Sequence, residues 1–251
     1  MITQPLFLGL FPLYSIILAC SAALGLGLIA RTATERKLFY FDLGLGLLVL
    51  SLLGARIGYV VRNFLYFRSH MGEIPQIWLG GLTWPGALIG AGAALLGIHL
   101  IWKEPLGDLA DIYLPLLGTI TVGIWLTGWG AGIGYGPRLS AWFGIMVRDQ
   151  FGIQEIRWPL PILGALLSAG WISGMIWLPL RRWKLKPGGR TALGVVGIVL
   201  INLILSFFRM DPAPLLWKLR WETWFSLALL SIIAGLLIRK RKLANNEKTG
   251  S

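Results

Sequence analysis

Long apolar runs without charge constrain this chain more than any other feature. Four of them are long enough to cross a hydrocarbon core of about 30 Å as a helix, and they cover residues 5–30, 83–102, 159–180 and 191–208. Three weaker runs carry a few charges or are shorter, at residues 41–64, 109–126 and 223–238. Only 14% of the 251 residues are charged, against about 25% in a soluble domain. The sequence therefore predicts an all-α polytopic membrane protein with seven transmembrane helices.

The seven runs predict a single membrane domain over residues 1–242, followed by a short polar tail over residues 243–251. We do not expect the first run to be a cleaved signal peptide. It has no basic segment before it, and it is longer than the apolar core of a signal peptide.

The basic residues orient this predicted bundle. Fourteen of the 23 lysines and arginines lie in the loops after the first, third and fifth runs and in the tail. Eight lie on the other side, and Arg56 lies within a run. Because cytoplasmic loops are enriched in Lys and Arg, we expect the N-terminus outside and the tail in the cytoplasm. The net charge of +12 is then a topology signal and an attraction to anionic lipids, and nucleic acid is not an expected partner.

Arg56 lies inside the second apolar run. An arginine in a membrane span costs roughly 2.5–3.5 kcal/mol on insertion scales, and such residues commonly have a function. Arg56 is therefore expected either to anchor neighbouring groups or to hold an anion. The alternative is a side chain that extends to the membrane interface. Most of the other basic residues on the outer side are also arginines, whose planar donor fork suits phosphate, although ordinary interface anchoring stays open for each.

Five glycines alternate between Gly128 and Gly136 on the outer side. They could let the backbone approach a ligand or imitate a phosphate-binding loop. No strand is predicted before them and no Lys-Ser/Thr follows, so the phosphate-loop signal is weak. Close packing of small residues is the favoured interpretation.

Other reactive side chains are few. Cys20 is alone and cannot form an internal disulfide. His70 and His99 are far apart, without acidic residues at ligand spacing, so no metal site is expected.

Five short motifs, in order along the chain, resemble those of the prolipoprotein diacylglyceryl transferase family. Residues 54–60 read GARIGYV, similar to the family's GGRIGYV. Residues 77–90 read IWLGGLTWPGALIG, similar to WxGGMSFHGGLIG. Residues 111–115, DIYLP, resemble DxxxP. Residues 157–159, RWP, resemble RHP, and residues 207–211, FFRMD, resemble FFRxPD.

The resemblance implies a seven-helix protein of the bacterial cytoplasmic (inner) membrane with its N-terminus outside. It implies transfer of a diacylglyceryl group from phosphatidylglycerol to a lipobox cysteine thiol, with loss of glycerol phosphate. The implied partners are the phospholipid and a prolipoprotein signal peptide, and no external cofactor is needed. Three arginines at motif positions, Arg56, Arg157 and Arg209, are predicted to bind the lipid phosphate.

The resemblance also gives candidate positions for catalysis and a set of candidate glycines. Those considered for catalysis are Tyr14, Arg138 and Asn202. Four glycines are also candidates for the site: Gly80, Gly81, Gly128 and Gly136.

The polar centre implied by the resemblance is largely replaced in this chain. The histidine of the second motif becomes Pro85, and the histidine of RHP becomes Trp158. In the fourth-helix signature, GRxGNFxNGE, the arginine becomes Trp125, the first asparagine Gly128 and the glutamate Ile133. A further family arginine aligns with Asn202.

Two functional hypotheses follow. The first is a divergent transferase that uses its remaining arginines. The second is a catalytically silent paralogue that binds lipid or a lipoprotein. A transporter is a weaker third hypothesis, because paired acids and bases within the spans are missing from the sequence pattern.

Overall fold

Six long apolar helices dominate the computed structural model, which describes residues 7–8, 11–32, 36–148, 153–177, 185–213 and 215–249. Their length and composition suit membrane spans. They are α1 (Leu13–Thr32), α2 (Lys37–Arg62), α4 (Trp84–Trp102), α5 (Leu106–Gly130), α6 (Leu160–Trp177) and α7 (Gly189–Ser206). The short helix α3 covers Phe64–Phe67, and α8 covers Trp221–Thr249, with a shorter apolar stretch at Trp221–Gly235.

These helices correspond to the predicted runs, with shifted ends. The first helix begins at Leu13 instead of residue 5, because a short hairpin precedes it. The fourth span is longer than predicted, and Pro115 lies inside it. Residues 178–180, at the predicted end of the fifth span, lie outside the described residues. The last helix continues through the predicted tail to Thr249.

Three short antiparallel hairpins, which the all-α prediction did not contain, lie at one end of the bundle. They are β1–β2 (Phe7–Leu8 and Phe11–Pro12), β3–β4 (Ile145–Arg148 and Gln154–Arg157) and β5–β6 (Leu215–Leu216 and Leu219–Arg220). We call this the hairpin end; it corresponds to the predicted outer side. Trp217 and Lys218 form the last turn with φ of 49° and 65°, as a tight two-residue hairpin requires.

Glycines allow α2 and α4 to pack backbone against backbone. A Cβ on Gly54 would lie 2.5 Å from the carbonyl oxygen of Gly86 and 2.9 Å from the Cα of Gly90. Small residues at a helix contact are the usual route to close association in membranes. The α2–α4 pair therefore forms a tightly packed unit that carries Arg56.

Asp111 joins helices at the opposite end of the bundle. Its carboxylate accepts hydrogen bonds of 2.9 Å from the backbone N–H groups of Gly188 and Thr191 and from the Thr191 hydroxyl. A carboxylate there satisfies free N–H groups at the start of α7 and suits the helix dipole. The DIYLP motif thus has a structural role that links α5 to α7.

Replacement of Gly54 by alanine tests the α2–α4 contact. Because the added Cβ would overlap the α4 backbone, we expect a loss of about 1–3 kcal/mol of stability and a lower midpoint of thermal unfolding in detergent. Gly46→Ala is the matched control, since a Cβ at Gly46 of the same helix meets nothing within 4 Å. Equal midpoints for the two variants would contradict the proposed contact.

Candidate functional site

Arg56 is buried on α2, six residues before the helix ends. Its Nε donates to the carbonyl oxygen of Ile74 at 2.8 Å, and its Nη2 donates to that of Glu73 at 2.6 Å. Its Nη1 donates to the carbonyl oxygens of Gly80 and Gly81 at 2.7 and 3.2 Å. The guanidinium therefore fixes the segment 73–81 to the hairpin end of α2. Anchoring of neighbouring groups is one of the two roles expected for Arg56.

Gly80 and Gly81 bring their carbonyl groups to Arg56 through a left-handed backbone. Their φ angles are 85° and 71°, which glycine adopts readily. A Cβ on Gly81 would also lie 2.6 Å from the Tyr59 ring and 2.7 Å from Arg56 Nη1. These two glycines are explained by this backbone geometry, and a direct contact with substrate stays a prediction.

Tyr14 holds the same segment from a second helix. Its hydroxyl on α1 donates to the carbonyl oxygen of Trp78 at 2.8 Å. The segment 73–81 is thus fixed by α1 and α2 together. A catalytic role for Tyr14 stays a prediction.

Arg138 and Arg157 share one carboxylate on the β3–β4 hairpin. Arg138 Nη2 lies 2.5 Å from Glu155 Oε1, and Arg157 Nη2 contacts Glu155 Oε2. The Arg157 side chain is mostly buried, with its guanidinium 4.5 Å from the centre of the Tyr135 ring, whereas the Arg138 side chain is 75% exposed. The structure therefore places Arg157 at the end of β4 and Arg138 on the backbone that is bridged to it.

Arg209 forms a bidentate ion pair with the buried carboxylate of Asp211, with N–O distances of 3.0 and 2.8 Å. Arg220 pairs with the same carboxylate at 3.0 Å. Burial on its own lowers the pKa of Arg209, but the hydrogen bonds and charge of Asp211 raise it above its ordinary value. Burial and the charge of Arg209 lower the pKa of Arg220. Arginine pKa values lie so far above neutrality that both remain cations.

A second ion pair lies beside this group. Arg62, the last residue of α2, contacts Glu222 in the first turn of α8 at 3.0 Å. We call Arg62, Arg209, Asp211, Arg220 and Glu222 the rim cluster. Sequence reasoning missed Arg62, Arg220 and Glu222 as site residues, although opposite charges at the ends of two predicted spans were a usable signal.

The predicted phosphate-binding arginines thus separate into two groups. Arg157 and Arg209 border neighbouring residues, because the Arg157 guanidinium lies over the Tyr135 ring and a Cβ added at Gly134 would lie 3.9 Å from Arg209 Nε. Arg56 belongs to the segment 73–81 instead. Phosphate binding by all three stays a prediction.

An elongated cavity of about 330 Å³ lies between α2, α4, α5, α7 and α8. Along α5 its lining extends from Ala110 to Trp125, which is roughly 22 Å at 1.5 Å per residue. Ser51, Thr121 and Asn202 line it, yet each donates to the carbonyl four residues earlier in its own helix, at 2.7, 2.7 and 3.0 Å. The wall is therefore largely apolar.

Trp125, which the resemblance aligns with a family arginine, lies in this wall. It is 7% exposed, lines the cavity, and packs on Gly164 of α6, where an added Cβ would overlap the indole. Tyr113 is the one ionisable side chain among the described residues that line the cavity, and its hydroxyl donates to the Tyr40 carbonyl at 2.9 Å. The lumen suits hydrocarbon better than a charged headgroup.

Gly128 and Gly136 form backbone hydrogen bonds in the connection that follows α5. The Gly128 carbonyl accepts from Ile133 N–H at 2.9 Å, and the Gly136 N–H donates to the Trp158 carbonyl at 3.3 Å. A Cβ on Gly136 would lie 2.6 Å from Trp158 Cβ. This geometry agrees with close packing, the interpretation favoured by the sequence.

Comparison with known proteins gives one consistent family. The family model of prolipoprotein diacylglyceryl transferases matches residues 8–239. The phosphatidylglycerol–prolipoprotein diacylglyceryl transferase of Bacillus velezensis is 28% identical, over 91% of this chain and 87% of that protein. The protein of the same name from Listeria innocua is 26% identical, over 92% of this chain and 86% of that protein.

Replacement of Arg56 by lysine tests the fastening of the segment 73–81. A lysine keeps the charge but lacks the planar fork, so we expect partly buried carbonyls to lose partners at a cost of about 1–3 kcal/mol. Limited trypsin cleavage after Arg68 should become faster, and thermal unfolding should begin at a lower temperature. Arg138→Lys, at an exposed side chain, is the control. Unchanged cleavage in Arg56→Lys would show that the segment is held in another way.

Proposed function

The chain belongs to the prolipoprotein diacylglyceryl transferase family, and we propose that it transfers a diacylglyceryl group from phosphatidylglycerol to the cysteine thiol of a prolipoprotein. Both substrates appear in the names of its relatives in Bacillus velezensis and Listeria innocua. Those relatives align with more than nine-tenths of this chain.

The apolar cavity beneath a charged rim is the observation that carries the proposal. A diacylglycerol phospholipid has apolar chains and an anionic headgroup. The 330 Å³ lumen offers an apolar wall, and the arginines at the hairpin end offer positive charge. The volume also lies within the usual range for ligand sites, about 300–1,000 Å³.

We propose seven membrane spans in a single domain over residues 1–242, with a cytoplasmic tail over residues 243–251, in the bacterial cytoplasmic membrane. The six long helices and the apolar stretch Trp221–Gly235 supply the spans. The hairpin end then faces outward, because the excess of basic loop residues lies at the opposite end.

The reaction needs a sulfur nucleophile and a stabilised leaving group. The thiol loses its proton, its sulfur forms a bond to a glyceryl carbon, and the carbon–oxygen bond to phosphate breaks. Glycerol phosphate leaves with the electron pair and takes up the proton that the thiol releases. Fixed positive charge stabilises such a leaving group, and cations beside a thiol favour the thiolate. We assign these roles to arginines of the hairpin end, with Arg56 and Tyr14 positioning the segment 73–81.

A second candidate function is lipid or lipoprotein binding without transfer. The observation in its favour is the cavity wall, where Trp125 and Asn202 occupy positions at which the family motif carries arginines. Removal of a charge-stabilising group commonly costs orders of magnitude in rate.

Expression in a bacterium depleted of its own transferase separates the two functions. The transferase proposal predicts rescue of growth and a thioether-linked diacylglyceryl cysteine on a reporter lipoprotein, detected by mass spectrometry. The Bacillus velezensis relative is the positive control. If the protein accumulates in the membrane and the reporter stays unmodified, the transferase proposal fails.

The single variant Trp125→Arg and its pair with Asn202→Arg then test the silent alternative. Gain of lipidation only in these variants would show that the scaffold binds substrate and lacks charge. If the unaltered chain lipidates the reporter, the silent alternative is excluded.

A further inference from the structure

The rim cluster joins four separate parts of the chain at the hairpin end. Arg62 ends α2, Arg209 and Asp211 follow α7, Arg220 ends β6, and Glu222 lies in the first turn of α8. Its two halves are adjacent, because Arg220 and Glu222 are two residues apart and the neighbouring Thr223 hydroxyl donates to the Ser206 hydroxyl at the end of α7 at 3.0 Å. The five side chains therefore form one electrostatic unit.

This unit lies above the apolar cavity. Ser51 and Leu229 line the cavity. Each is separated by a whole number of helical turns from a cluster residue on the same helix. Glu222 lies seven residues before Leu229 on α8, and Arg62 lies eleven residues after Ser51 on α2, so each shares a helix face with its partner. Phe225, one turn after Glu222, contacts the Trp84 ring at 5.1 Å, and Trp84 also lines the cavity.

The charges of the unit do not cancel. Three arginines face two carboxylates through three ion pairs, so the cluster carries one positive charge in excess. A phosphodiester carries one negative charge. The pair of Arg62 and Glu222 also has one donor and one acceptor without a hydrogen-bond partner. Arg62 Nε and Glu222 Oε2 are buried, and neither bonds to the part of the chain that the structure describes.

The lumen below cannot take the phosphate at low cost. Ser51, Thr121 and Asn202 bond within their own helices, and the hydroxyls of Tyr113 and Thr191 donate to neighbouring helices. Trp125, at a position that the resemblance aligns with a family arginine, lines the cavity as an indole. Transfer of an unpaired charge from water into such surroundings is strongly unfavourable. Arg62 of the rim cluster shares a face of α2 with the lining residue Ser51.

We propose that the rim cluster selects anionic phospholipids, with Arg62 and Arg220 contacting the headgroup phosphate and Glu222 limiting the excess charge to one. The inference rests on the proposed use of phosphatidylglycerol. Arg62, Arg220 and Glu222, which lie outside the five motifs, then take part in substrate recognition. The phosphate lies at the rim, and the acyl chains enter the lumen.

A charge series tests the proposal by binding alone. The probe is dihexanoyl phosphatidylglycerol, added to the full chain in detergent, and native mass spectrometry reads the dissociation constant. Arg62→Met removes the excess charge and should weaken binding about five- to tenfold, while Glu222→Gln adds to the excess and should strengthen binding by a similar factor. The double variant restores the original excess charge but lacks the Arg62 contact, so its dissociation constant should lie between those of Arg62→Met and the unaltered chain.

Arg68→Met is the matched control, since Arg68 is an exposed arginine at the same end of the bundle outside the cluster. Its loss should leave the dissociation constant unchanged. Dihexanoyl phosphatidylcholine, a zwitterion, should respond much less across the series. Equal binding by all variants, or an effect of Arg68→Met as large as that of Arg62→Met, would overturn the proposal.

Inorganic phosphate distinguishes a lipid site from a site for free phosphate. If it binds as tightly as the short-chain lipid, the assignment to a lipid headgroup is wrong. The result is also separate from catalysis. Charge-dependent binding by a chain that fails to lipidate the reporter would support the rim site and count against transfer.

Discussion

A polar group surrounded by hydrocarbon needs a partner inside the protein, and this requirement organises the structure. Arg56 satisfies it with four backbone carbonyls of the segment 73–81. Asp111 satisfies it with the start of α7, and Asp211 with two arginines. In each case at least one partner belongs to a different element. The same contacts that remove the penalty of a buried charge therefore also fix how the helices and loops are arranged.

The requirement also divides the interior into two zones. Within the cavity, Ser51 and Thr121 bond to their own helices, and Trp125 packs against α6. The lumen is left apolar, while ion pairs collect at the hairpin end. A phospholipid has the same division between chains and headgroup. The account of function depends on this match in polarity more than on any single residue.

The sequence predicted the long helices well, because a run of about 20 apolar residues has few alternatives to a membrane span. It also singled out Arg56, since a charge in such a run is unusual. It could not name the partners of Arg56, because they are backbone carbonyls 17–25 residues later in an irregular segment. The pair of Arg62 and Glu222 spans 160 residues, and only the folded bundle brings them together. The two-residue strands were missed because they are too short to show a periodic pattern.

The location of the phosphate tests the central claim most directly. A cryo-electron microscopy structure in nanodiscs that contain phosphatidylglycerol would show it. The account predicts acyl chains in the lumen between α2, α5 and α7, and a phosphate oxygen about 3 Å from a guanidinium nitrogen of Arg62 or Arg220, as in other charge-assisted hydrogen bonds. A phosphate beside Trp125 and Asn202, deep in the lumen, would contradict it.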